Sequence, residues 1–101
     1  MTEGSTALPD DTWWVYLLLC KGDRIYTGIA RDVLNRCQLH ATGKGARFTR
    51  SFPPVRLLAC KRFDDRTGAA REEILTKRLD RPAKLAKADD WGCPVDWPAA
   101  S

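Results

Sequence analysis

One stretch constrains this chain more than any other: Trp13-Trp14-Val15-Tyr16-Leu17-Leu18-Leu19-Cys20, followed at once by Lys21-Gly22-Asp23 and then by Arg24-Ile25-Tyr26-Thr27-Gly28-Ile29. The first run is rich in aromatic and aliphatic residues and too short for a membrane span, so it reads as a central strand. Lys21-Gly22-Asp23 is turn chemistry. A link this short leaves the second run, itself strand-like, only one way to go: back along the first as an antiparallel hairpin. At 101 residues the chain has room for one domain and one core.

The pattern then changes period. Asp32 stands as a helix N-cap, and Ala30, Val33, Leu34, Cys37 and Ala41 fall close to the spacing of one apolar helical face. Arg36 and His40 are four apart, hence neighbours on the flank of that face. Thr42-Gly43-Lys44-Gly45 ends the helix, Pro53-Pro54 blocks helix locally, and Val55 to Phe63 reads as a third strand. Thr67 or Asp65 caps a second helix running to Leu79, on which Ala69, Ala70, Glu73 and Lys77 share a face. Asp80-Arg81-Pro82 starts a short third helix. The expected order is β-β-α-β-α-α, an α/β chain of the α+β type with a small three-stranded antiparallel sheet flanked by helices. Residues 1–11 read as a polar lead-in, 12–87 as the domain, and 88–101 as an irregular tail.

No apolar run approaches the length of a transmembrane helix. The N-terminal MTEGSTALPDD lacks the basic and apolar regions of a secretion signal, so a cytoplasmic protein is expected. The four cysteines form no C-x-x-C pair, and a zinc site with one histidine would need an unusual ligand set. Cys20, Cys37 and Cys60 sit in or beside apolar runs and are expected as buried thiols, with all four cysteines reduced. The formal charge is +4, and Gly43 to Arg62 carries six basic residues and no acidic one, which suits a phosphate backbone.

Two tyrosines on adjacent hairpin strands, followed by Arg and His on the next helix, resemble the GIY-YIG nuclease family. Trp14-Val15-Tyr16 takes the place of the first motif, with Trp14 where the family has glycine. Tyr26-Thr27-Gly28 takes the place of the second. Arg36 lies ten residues after Tyr26 and His40 four further on, as in the family. Ala70-Arg71-Glu72-Glu73-Ile74-Leu75-Thr76-Lys77 resembles the stretch that holds the family's metal-binding glutamate; Glu73 fits the spacing and Glu72 is its rival. Gly43-Lys44-Gly45-Ala46-Arg47-Phe48-Thr49-Arg50 is similar to a run in small stand-alone bacterial members. The asparagine found late in some members has no counterpart.

The resemblance implies a metal-dependent endonuclease hydrolysing phosphodiester bonds in DNA, in repair or processing, with RNA open as a substrate. Its implied catalytic set is Tyr16, Tyr26, Arg36, His40 and Glu73. Glu73 would hold a single Mg²⁺ or Mn²⁺, Arg36 would clamp the phosphate, and Tyr26, in preference to Tyr16, would act as base, with a lowered pKa. Lys44, Arg47, Phe48 and Arg50 are expected to bind substrate through phosphate contacts and base stacking. No small-molecule cofactor and no membrane partner are expected. Two other readings stand beside this one: a nucleic-acid binding module with a decayed centre, and a domain that recruits a partner through Trp91 and Trp97.

Overall fold

A computed structural model describes residues 12–98; the lead-in 1–11 lies outside them. Strand β1 (Trp13–Cys20) lies at the centre of a three-stranded sheet, with β2 (Arg24–Ala30) on one side and β3 (Pro54–Phe63) on the other, both antiparallel to it. The hairpin turn places Gly22 and Asp23 at positive φ, 79° and 62°. Glycine takes such a conformation freely, and aspartate is among the few other residues that tolerate it. Arg81 fixes this turn from a distance, donating to the Asp23 carbonyl and, at 2.6 Å, to its carboxylate.

Helices α1 (Val33–Ala41) and α2 (Arg47–Ser51) precede β3, and α3 (Arg66–Lys77) and α4 (Arg81–Trp91) follow it. The expected order therefore stands, with one short helix added inside the run expected as a loop. Each of the three longer helices starts on an aspartate whose carboxylate accepts from a backbone N–H three residues on: Asp32 from Asn35, Asp65 from Gly68 and Asp80 from Ala83. Asp65, not Thr67, is thus the cap of α3.

Because helices cover both faces of the sheet, β1 is apolar without alternation: Val15, Tyr16, Leu17 and Leu18 are all buried. One core joins Tyr16, Leu18, Cys20, Ala30, Val33, Cys37, Leu57 and Cys60 between the sheet and α1. The other joins Leu17, Ala59 and Ala88, with Ile25, Leu58 and Trp91 against them. A bulge at Leu58, which has no partner between the Leu17–Ala59 and Leu18–Leu57 pairs, brings Leu57 and Cys60, three residues apart, into the same core. Cys20, Cys37 and Cys60 are buried free thiols, and burial raises them to about 11, 12 and 11, well clear of the thiolate form.

Helical structure runs past Ala88, where an irregular stretch is expected. Helix α4 continues through Trp91 because Ala88 and Trp91 pack on the second core, and it ends at Gly92, φ 72°. Beyond it, Val95 and Trp97 pack against the first core. The Leu57 N–H donates to the Trp97 carbonyl and the Cys60 N–H to the Gly92 carbonyl. Trp91 and Trp97 are thus half-buried against the chain's own two cores.

Candidate active site

Tyr16 pairs with Gly28 and Leu18 with Tyr26, so both tyrosines leave the same face of the sheet one step apart. Their ring centres are 6.2 Å apart. Tyr16 lies directly across β2: a Cβ on Gly28 would stand 2.6 Å from the Tyr16 hydroxyl. The glycine of the Tyr26-Thr27-Gly28 motif is therefore the gap through which Tyr16 reaches toward the outer side of the sheet.

There the buried Tyr16 hydroxyl meets His40 Nε2 at 2.7 Å. The other ring nitrogen, Nδ1, lies 2.8 Å from the Thr49 hydroxyl and receives the Ala46 N–H at 3.3 Å. A backbone N–H cannot turn its proton away, so this contact assigns the lone pair to Nδ1 and the ring proton to Nε2. His40 then donates to the Tyr16 oxygen, while the Thr49 hydroxyl proton is shared between Nδ1 and the Ala46 carbonyl, 2.9 Å away. Burial first, and the charge of Arg36 second, hold His40 below its ordinary range, which keeps it neutral.

The strand-side tyrosines thus depend on the segment after α1. Gly45 passes so close to His40 that a Cβ there would stand 2.1 Å from Nδ1. Thr49, on α2, completes the hydrogen-bonded chain. Neither role is legible in the sequence, where the only signal is that both belong to the Gly-Lys-Gly-Ala-basic-aromatic-Thr-basic run. Phe48 stacks between Tyr26 (5.7 Å) and Phe52 (5.2 Å), and Tyr26 also meets the edge of the His40 ring at 5.0 Å. Lys44, Arg47 and Arg50 are exposed around this loop and α2.

Burial raises both tyrosine hydroxyls above their ordinary range, Tyr16 further than Tyr26. The lowered pKa expected of a catalytic tyrosine is thus not supplied by the protein's own groups. Half-buried Tyr26 is the better placed of the two. After burial, the influences on it are the Lys77 charge, which lowers it, the Glu73 charge, which raises it, and the Arg36 charge, which lowers it.

Glu73 and Glu72 have different surroundings. Glu72 is bound by Lys87 of α4 and by the Thr76 hydroxyl. Glu73 pairs with Lys77 at 3.3 Å, with half of the lysine side chain open to solvent. The Glu73 side chain itself is only 20% exposed, so the lysine end of the pair is the one open to solvent. A carboxylate is the donor type a hard divalent ion takes, and among the described residues there is no group of three or more His, Cys, Asp or Glu that could hold a metal by itself.

The GIY-YIG catalytic domain family matches residues 12–86 of the chain. The chain belongs to the GIY-YIG family. A UPF0213 protein of Cupriavidus necator is 49% identical over 77 residues, covering 76% of this chain and 84% of that one. One of Xanthomonas axonopodis pv. citri is 49% identical over 74 residues, 73% of this chain and 72% of that one. The solution NMR structure of a UPF0213 protein from Bacillus halodurans is similar with a TM-score of 0.52 and 40% identity, covering 82% of this chain and 88% of that one. The family is a nuclease family. Tyr16 and Tyr26, the residues expected to be the motif tyrosines, both lie within the matched range. No helix among the described residues is long and apolar enough to cross a membrane.

Proposed function

We propose that this GIY-YIG domain hydrolyses phosphodiester bonds in DNA with the help of one Mg²⁺ or Mn²⁺, in repair or processing. The observation that carries the reading is the Tyr16–Tyr26–His40 cluster, with Arg36 acting on both tyrosine hydroxyls and Glu73 on that of Tyr26.

Arg36 is exposed, acts on the Tyr16 hydroxyl, and carries a fork that matches the oxygens of the scissile phosphate. Tyr26, in its phenolate form, takes the proton of the attacking water. Lys77 and Arg36 favour that form electrostatically, while burial opposes it. Tyr16 and His40 are positioning residues, locked by the bonds to Thr49 and Ala46, and they hold Tyr26 at a fixed distance from Arg36. A cation on Glu73 would neutralise phosphate charge and offset the carboxylate's upward effect on Tyr26. Lys44, Arg47 and Arg50 supply phosphate contacts beside the site, and the open edge of Phe48 offers a surface to a base.

The test is cleavage of labelled DNA and RNA, single-stranded, duplex and branched, with Mg²⁺, Mn²⁺ or EDTA. Glu73→Gln is expected to abolish metal-dependent cutting while leaving the fold and most DNA binding in place. Glu72→Gln is expected to keep cutting and to lose about 1 kcal/mol of stability, since it breaks the Lys87 contact. If Glu72→Gln alone is inactive, Glu73 is not the ligand. A parent protein that binds nucleic acid but cuts none of the panel with either metal would make the domain a binding module.

A further inference from the structure

Past the Ala30 end of β2, Trp13, Arg31, Asp32, Asn35, Arg36 and Arg66 line a groove of about 500 Å³. Three guanidiniums face it against one carboxylate, and that carboxylate already accepts the Asn35 N–H as the cap of α1. Among the described residues none of the three arginines is in an ion pair. Trp13 holds two of them in place: the Arg66 guanidinium lies 5.5 Å and that of Arg31 6.0 Å from its ring centre. Such contacts limit the freedom of long side chains before any ligand arrives. Arg36 belongs to this groove and also acts on both tyrosines, so groove and site share a wall.

A second basic hollow flanks the site at the opposite end of β2. Arg24, Phe48, Arg81 and Lys84 contribute to its lining. There Arg81 is neutralised by Asp23 at 2.6 Å, and Arg24 stacks over Phe52 at 4.1 Å. The two hollows are reached from Ile25 and Ile29, about 13 Å apart along an extended strand, which is the scale of a stretch of backbone and not of one phosphate. Arg24 and Lys84 are in no ion pair among the described residues, so basic groups flank the site at both ends of β2, with three unpaired guanidiniums gathered at the Ala30 end.

We propose that the Arg31–Arg66 groove seats the phosphates of a nucleic-acid strand on one side of the bond to be cut, so that nucleotides on that side strengthen binding. The proposal rests on the nuclease reading for the position of the cut, but the groove's affinity is separate from cleavage. Guanidinium forks suit phosphate oxygens, and each neutralised phosphate adds to the salt dependence of binding.

The experiment measures binding of fluorescent DNA and RNA oligonucleotides in EDTA across a salt series. It compares the parent, Arg31→Gln/Arg66→Gln and the control Arg71→Ala/Arg78→Ala, which removes as much charge from elsewhere on the surface. Glutamine keeps bulk over Trp13, and thermal melting verifies that each variant is folded. The groove variant is expected to bind at least about tenfold more weakly, with a salt slope shallower by about 1.4 for single strands; the control is expected to keep the parent slope. In cleavage, lengthening the substrate on one side is expected to help the parent and not the groove variant. If the groove variant binds with the parent's affinity and slope, or no more weakly than the control, the proposal is overturned even if the parent cuts. If the slope falls as expected and the parent cuts nothing, the groove stands and the catalytic reading fails.

Discussion

Gly45→Ala isolates a single contact, because the sign of its effect depends on that contact. Gly45 does not have a left-handed φ, so alanine can adopt its backbone conformation. In open space the change would stabilise the fold by about 0.4–1 kcal/mol by restricting the unfolded chain. Here the new methyl would stand 2.1 Å from His40 Nδ1 and 2.8 Å from Cγ and Cε1, when ordinary contact starts at 3.4 Å. The ring cannot simply retreat, since it is bonded to Tyr16 on one side and to Thr49 and Ala46 on the other. Displacing it breaks about two buried hydrogen bonds, each costing about 1–2 kcal/mol once a buried group is left unpaired. The expected net loss is about 2–3 kcal/mol, and the ring nitrogens lose their fixed tautomer. Urea denaturation gives the stability, and ¹⁵N NMR of the imidazole gives the proton position, with Nε2 protonated in the parent. Gly43→Ala is the companion: φ is 79° with nothing within 4 Å, so it should cost about 1–2 kcal/mol and leave the His40 signals unchanged. A Gly45→Ala protein as stable as the parent or more so, with unaltered imidazole shifts, would refute the packing argument.

Two further outcomes are expected. His40 titrates below its ordinary 6.5 in the folded chain, so the unfolded chain takes up the proton first as pH falls; stability is full above about 6.5 and declines below it, with a slope of up to about 1.4 kcal/mol per pH unit. Urea midpoints of parent and His40→Gln between about pH 5 and 7.5 check this, and equal slopes in the two proteins would reject it. Thr27 has a buried hydroxyl with no partner among the described residues, so Thr27→Val should raise stability by about 1 kcal/mol; a fall in the thermal midpoint would mean that the hydroxyl is satisfied.

The hairpin, the helix carrying Arg36 and His40, and the aspartate caps were legible in the sequence because each rests on local rules: turn length, apolar period, a side chain reaching three residues ahead. What escaped depends on chain segments meeting from far apart. Nothing near Thr49 in the sequence says that its hydroxyl will find a histidine nine residues back, or that Gly45 is small for the sake of that same ring. The Glu72–Glu73 ambiguity is similar. Helical geometry separates the two by about 100°, but only the arrival of Lys87 from α4 gives Glu72 its partner. That α4 runs on to Trp91 is not legible in a stretch rich in proline and aspartate, because the contacts that hold it come from β1 and β3.

The residues from Gly92 to Trp97 also decide how this small sheet ends. A strand with unused N–H groups along its outer margin is a template for another strand. On the β3 margin, the donors of Leu57 and Cys60 are already taken by the carbonyls of Trp97 and Gly92. The opposite margin, β2 with Tyr26, is instead flanked at its Ala30 end by Arg31, Arg36 and Arg66. A chain cut back to Trp91 would keep every residue of the candidate site and yet uncover two donors beside the apolar surface left by Val95 and Trp97. Its liability would be self-association through β3, so any shortened version used for assays should be checked for aggregation before a loss of activity is attributed to the site.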